Sequence, residues 1–174
     1  FDEKDVLSAW NPIVLLRDYG KNLSTESLNF VLRIMDKNTC VGIKHHALTC
    51  LEKHGIESSM ISSVIALFEL GIPNADAYRI GNADFSFKAS TRYFNEDIHY
   101  HAAWILSKRE DSINSLANAL ESEYEWVRFG AAIALNSRPN SIADIQISDK
   151  HQTLLNTILE EMKEKDLHTE ISQE

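Results

Sequence analysis

Ile98-His99-Tyr100-His101-Ala102-Ala103-Trp104-Ile105-Leu106 returns, in altered form, as Val127-Arg128-Phe129-Gly130-Ala131-Ala132-Ile133-Ala134-Leu135. The paired alanines Ala102 and Ala131 lie 29 residues apart. A weaker copy, Ile43-Lys44-His45-His46-Ala47-Leu48-Thr49-Cys50-Leu51, stands 55 residues before the first, close to two such periods. Recurrence at this spacing predicts stacked helical hairpins rather than a globule closed around one centre. Val127, Ala131, Ala134 and Leu135 fall at i, i+4, i+7 and i+8, which is one helix face, and the alanines there let neighbouring helices approach closely.

The rest of the chain reads as helices separated by turn signals. Asn11-Pro12 suits a cap followed by proline at a first helical position, predicting a helix to about Tyr19 with Gly20 as its stop. Ser24 can cap the next helix, whose stripe is Leu28, Val31, Leu32 and Met35. A third helix is expected from about Cys40 to His54, ending at a left-handed Gly55, and a fourth from about Glu57 to Leu70. Residues 71–95 break the pattern, with a short helix expected from Phe87 to Phe94. Asn95 then reads as the cap of a new helix running to about Lys108. Asp111 or Ser112 opens the next, and Ser122-x-x-Glu125 has the form of a capping box ahead of Val127. A last amphipathic helix is expected from about Lys150 to Asp166, with the tail 167–174 frayed. The expectation is a single domain over 1–174, all-α, an α-α superhelix irregular in the middle.

Composition narrows the job. Seventeen basic against 26 acidic side chains give a formal charge of −9, so the molecule as a whole repels phosphate backbones and argues against nucleic acid as a partner. An acidic surface suits a basic protein. Cys40 and Cys50 lack CxxC spacing and sit in apolar-patterned sequence, which fits a reduced, cytoplasmic protein. No apolar run approaches the length of a membrane span. Residue 1 is Phe rather than Met, which fits a segment or processed product of a longer chain.

The stretch Leu116-Ala-Asn-Ala-Leu-Glu-Ser-Glu-Tyr-Glu-Trp-Val-Arg-Phe-Gly-Ala-Ala-Ile-Ala-Leu135 resembles a HEAT-like repeat of the phycobilisome-lyase type. That family's pattern is a leucine-bearing helix, a short acidic turn, then Val-Arg-x-x-Ala-Ala-x-Ala-Leu. The match is good from Asp97 to Arg138, moderate over 24–54 and poor over 71–95. Such a motif specifies packing, so the resemblance implies a fold more than a function. Lys44, His99 and Arg128 occupy one equivalent position of the register. In a stacked array that position forms a basic ladder along one surface, available either to a partner or to acidic residues of the preceding turn.

Several constellations invite a chemical reading. His46, Cys50 and His54 follow i, i+4, i+8 spacing, but i to i+8 spans about 12 Å of helix rise, too far for one ion, and Cys50 falls at a core-like position. HEAT-like iron hydroxylases use His-Glu pairs, and the chain contains no His-Glu dipeptide. Alkylated-base glycosylases need a basic channel that the charge argues against. No nucleotide-binding glycine loop or nucleophile elbow is present.

The best surface candidates are aromatic. Tyr78, Phe85, Phe87, Tyr93, Phe94 and Tyr100 crowd into 23 positions with Arg79, Lys88 and Arg92 among them, and aromatic and arginine side chains make good interface anchors. In Tyr124-x-Trp126 at a helix start, one ring must point away from the core. The reading is a non-enzymatic protein-binding scaffold or regulatory module, without cofactor or metal, using Lys44, Arg92, Tyr93, His99, Trp126 and Arg128 towards another, basic protein. The rival is a lyase-like enzyme or small-ligand-binding protein on the same repeats.

Overall fold

The computed structural model describes residues 6–19, 23–37, 41–70, 88–139, 144, 146–165, 167 and 171, with the side chains of 6–10, 36–37, 41, 70 and 88–97 outside the description. Among these residues every regular element is helical. The α-helices are α1 (Val6–Asp18), α2 (Thr25–Lys37), α3 (Val41–His54), α4 (Ile61–Ala66), α5 (Lys88–Ser107), α6 (Ile113–Ala119), α7 (Glu125–Asn136) and α8 (Asp149–Glu164). Short 3-10 turns lie at Ser58–Met60, Leu67–Leu70 and Glu110–Ser112. The chain divides into two compact units, Phe1–Ser63 with Pro73–Ile98 and Val64–Ile72 with His99–Glu174. No helix among the described residues is long and apolar enough to cross a membrane.

In the first unit α3 is the organising helix, packing against both α1 and α2. Leu28, Val31, Leu32 and Met35 of α2 are all buried, as their spacing predicts, and Ile43, Ala47, Leu48, Cys50 and Leu51 of α3 join them. Ser24 caps α2: its Oγ accepts from the Ser27 amide at 3.2 Å. Gly55 ends α3 at φ 86°, the left-handed region open to a residue without Cβ. Pro12 does not open α1 but lies inside it. Proline's fixed φ is helical, so the helix continues through it at the loss of one main-chain donor.

In the second unit α7 packs against α6, α8 and the Leu67–Leu70 turn. With neighbours on three sides it is buried nearly all round, Val127 and Phe129 through Leu135 alike, rather than along one stripe. Gly130 has a specific reason to be glycine: a Cβ there would overlap the ring of Phe68, itself fully buried.

Four other expectations change. Asn95 is not a cap, because α5 is one continuous helix from Lys88, absorbing the two pieces read around it. The expected fourth helix is broken into a 3-10 turn, a short α4 and a second 3-10 turn. The capping box is not formed: Tyr124 stands at the N-cap of α7 without a side-chain cap, while Ser122 Oγ accepts from the Tyr124 amide at 3.2 Å. Glu125 turns instead to Lys165, beyond the end of α8. In the tail, Ile171 is tied down by its amide, which donates to Ser137 Oγ at 2.9 Å.

Close packing on α7 makes two substitutions informative. Ala131→Leu and Gly130→Ala should each lower stability by about 1–3 kcal/mol, as overpacking does. For Gly130→Ala this loss outweighs the helix-propensity gain of about 1 kcal/mol, and Phe68→Leu in the same chain should recover part of it. Thermal melts check both; unchanged melting temperatures would contradict the packing described.

Candidate functional site

Lys44, His99 and Arg128 share a register position, but they do not form a surface ladder. Lys44 is buried at 8% exposure, and its ammonium donates to the Met35 carbonyl in the last turn of α2. Arg128 is half-buried and donates to the carbonyls of Ser122 at 2.9 Å and Glu123 at 3.1 Å, in the turn that ends at α7. His99 is fully buried. For Lys44 the physical reason lies one helix back. The last carbonyls of a helix have no amide four residues on, and a cation early in the following helix can reach them. The α3 side chains extend this logic to α1, where Lys53 Nζ donates to the Arg17 carbonyl at 3.1 Å and His54 Nε2 to the Leu16 carbonyl at 3.2 Å.

The same contacts dismantle the His46, Cys50, His54 alignment. His46 Nδ1 lies 2.8 Å from the Arg17 guanidinium, which can only donate, so Nδ1 accepts and the ring is held neutral. Burial, then the Arg17 charge, lowers its pKa. Cys50 is buried, and desolvation raises its thiol to about 11, far from a reactive thiolate. Among the described residues no three His, Cys, Asp or Glu side chains are grouped to hold a metal ion.

His99 is the most unusual polar group of the second unit. Its ring sits 5.1 Å from that of Phe68, 6.0 Å from Tyr100 and 6.4 Å from Trp126, which in turn meets Phe129 edge-on at 5.6 Å. Neither ring nitrogen has a hydrogen-bond partner. Burial in this aromatic surround drives the imidazole pKa down to about 4, the nearby Phe68 main chain opposing it weakly without reaching hydrogen-bonding geometry. His99 is a neutral core residue, not a surface contact.

Surface groups suited to recognition lie elsewhere. Trp126 is half-buried against His99 and Phe129, so the ring of its pair that faces outward is Tyr124, 56% exposed. Arg92 and Tyr93 are in α5, with side chains outside the described residues, as are Tyr78, Phe85, Phe87 and Phe94. A shallow, open groove of about 440 Å3 between α1 and α2 is floored by Pro12, Leu15, Leu16 and Phe30, with Glu26 and Arg33 on its rim. Leu15 there is 72% exposed. The signal for it was available in the run Pro12-Ile13-Val14-Leu15-Leu16, because five successive apolar residues in a helix cannot all face one way.

No family model matches the chain, and no curated protein or solved structure matches it.

Two measurements test these assignments. Arg128→Met should lower stability by about 1–2 kcal/mol through the lost charged hydrogen bonds, with Arg128→Lys recovering part, read by denaturant melts. For His99 the unfolded ring binds a proton between pH 6.5 and about 4 while the folded one does not. The stability it contributes is therefore full above pH 6.5 and lost as pH falls through that window. From this group, wild type should lose about 2 kcal/mol between about pH 7.5 and about pH 5, and His99→Leu should lose correspondingly less. Equal pH slopes would contradict neutral burial.

Proposed function

We propose that the chain is a HEAT-like helical-repeat module, an α-α superhelix, whose work is non-enzymatic recognition of another protein. One observation carries this reading. Among the described residues, Lys44, His46, Cys50, His99 and Arg128 are buried or engaged with the chain's own groups, while Leu15 on α1 and Tyr124 at the N-cap of α7 stand exposed. Preorganised side chains on packed helices lose little entropy on binding, which suits a scaffold. The repeated register from Ile98 and Val127 supports the superhelix.

Two surfaces are proposed for the partner, each taken within its own unit: Tyr124 with the half-buried Trp126 beside it, and, separately, Arg92 and Tyr93 on α5. Tyrosine, tryptophan and arginine supply large contact area with few rotors. A net charge of −9 favours a basic partner and makes its capture weaken as salt rises. Lys44, His99 and Arg128 act in this reading as parts of the frame.

Affinity capture of the intact protein from its own cell extract, with mass spectrometry of proteins and small molecules, tests this. A stoichiometric protein is expected, held less well by the folded variants Tyr124→Ala and Arg92→Glu. A bound pigment, metal or metabolite without a protein would overturn the reading in favour of a lyase-like or small-ligand-binding protein.

A further inference from the structure

Within the first unit, α1 and α3 are joined by a hydrogen bond that can exist in only one protonation state. Arg17, on α1, brings its guanidinium to 2.8 Å from Nδ1 of the half-buried His46, on α3. A guanidinium carries donors only and stays charged, so the bond requires a lone pair on Nδ1. Lys53 and His54 tie the same two helices without that dependence. Lys53 donates to the Arg17 carbonyl at 3.1 Å, and His54 donates through Nε2 to the Leu16 carbonyl at 3.2 Å. Both remain donors when charged, because an imidazolium still carries the Nε2 proton. The surroundings of His46 give a charged ring little compensation. His45 of its own helix lies edge-on at 5.9 Å, and Arg17 faces it from α1. Asp18 of α1 also acts on the ring, but both its carboxylate oxygens are already held by Arg17 at 2.8 Å. The other helix packed on α3, α2, brings apolar Leu28, Val31, Leu32 and Met35 to the shared core.

We propose that the Arg17–His46 bond is an acid-sensitive clasp between α1 and α3. A proton taken up at Nδ1 turns the acceptor into a donor. Two cations then stand where a hydrogen bond stood, and the side chains separate. Lys53 and His54 keep their hold on the α1 carbonyls, so α1 loosens around the lost contact without detaching from α3. Burial, then Arg17, then His45 hold the His46 pKa below its ordinary 6.5, with Asp18 opposing them. The folded ring thus resists a proton that the unfolded ring takes up. The contribution of the clasp is full above pH 6.5 and is lost as pH falls through the lowered pKa. The clasp is closed at neutral pH and opens on acidification. His99 does not share in it, since that ring belongs to the second unit and its pKa lies at about 4. Such a device needs no partner, and so goes beyond the recognition reading given above.

Nitrogen NMR of the histidine rings and hydrogen exchange of the α1 amides, both on the full chain from about pH 7.5 to about pH 5, test it. At neutral pH the His46 Nδ1 resonance should be that of an unprotonated ring nitrogen. As the ring titrates, exchange around the buried Ile13 of α1, corrected for the intrinsic effect of pH, should rise roughly three- to tenfold, the worth of one lost hydrogen bond. His46→Asn puts an acceptor that does not titrate in the place of Nδ1, so its α1 exchange should not respond to acid. Arg17→Met removes both donor and charge. Its α1 exchange at neutral pH should already match that of acidified wild type, and its His46 midpoint should move up. Circular dichroism checks that the variants fold, and the wild-type titration together with Arg17→Met suffices if His46→Asn does not. A His46 ring that stays neutral down to about pH 5, or α1 exchange that holds constant while the ring titrates, would overturn the inference. So would a His46→Asn variant that loosens in acid like wild type, or a His46 midpoint unmoved by Arg17→Met.

Discussion

The last carbonyls of an α-helix have no amide four residues further on, and in a chain of short helices that deficit recurs at every turn. Here it is met by basic side chains placed on the following helices. Lys44 on α3 reaches back to Met35 of α2, while Lys53 and His54, near the other end of the same helix, reach Arg17 and Leu16 of α1. Arg128 differs: it binds the Ser122 and Glu123 carbonyls in the turn that leads into its own helix, α7, beyond the end of α6. The α3 contacts join its side chains to the main chain of both α2 and α1, so they help to fix how these helices pack as well as lowering the cost of burying their ends. Oppositely signed charges at the surface matter less. Glu121 with Lys150 and His151, and Lys165 with Glu125 and Glu161, lie on exposed ground where water competes for both partners.

The second unit adds a different constraint. Around α7 the space is filled by rings, and the helix gives way to them: Gly130 clears room for Phe68, while Phe129 and Trp126 meet edge-on beside it. His99 completes this cluster as an aromatic body without a hydrogen-bonded nitrogen. An imidazole can be accommodated in such a place only in its neutral form, so the packing of the unit becomes coupled to proton concentration. The same burial that suits the ring to the core removes it from any surface role.

Much of the fold was legible where one local rule acts without competition. Ser24 before an apolar stripe, Gly55 after one, and the small residues around Ala131 behave as their chemistry predicts. Misreadings arose where two rules met. Asn95 is a good cap in isolation, yet it lies within a helix long enough to run through it. Ser122 and Glu125 have the spacing of a capping box, but Lys165, far away in sequence, takes the glutamate. Lys44, His99 and Arg128 share one position of the register, and that equivalence says nothing about direction: carbonyls take up Lys44 and Arg128, while an aromatic surround takes up His99. The spacing of Tyr124 and Trp126 requires one outward ring without saying which, and Tyr124 is the one left exposed. The α1–α2 groove has its trace in the sequence as well, because Pro12 through Leu16 cannot all fit one face.

The inward use of the basic register position underlies the assignment of frame and surface alike. Nitrogen-detected NMR of the lysine side chains at neutral pH tests it most directly. A Lys44 ammonium held against the Met35 carbonyl should give a sharp resonance protected from solvent exchange, unlike the exposed Lys150 and Lys163. A Lys44 signal that exchanges as fast as those of the exposed lysines would place its charge in water, contradict the helix-end account and return the basic ladder to the surface.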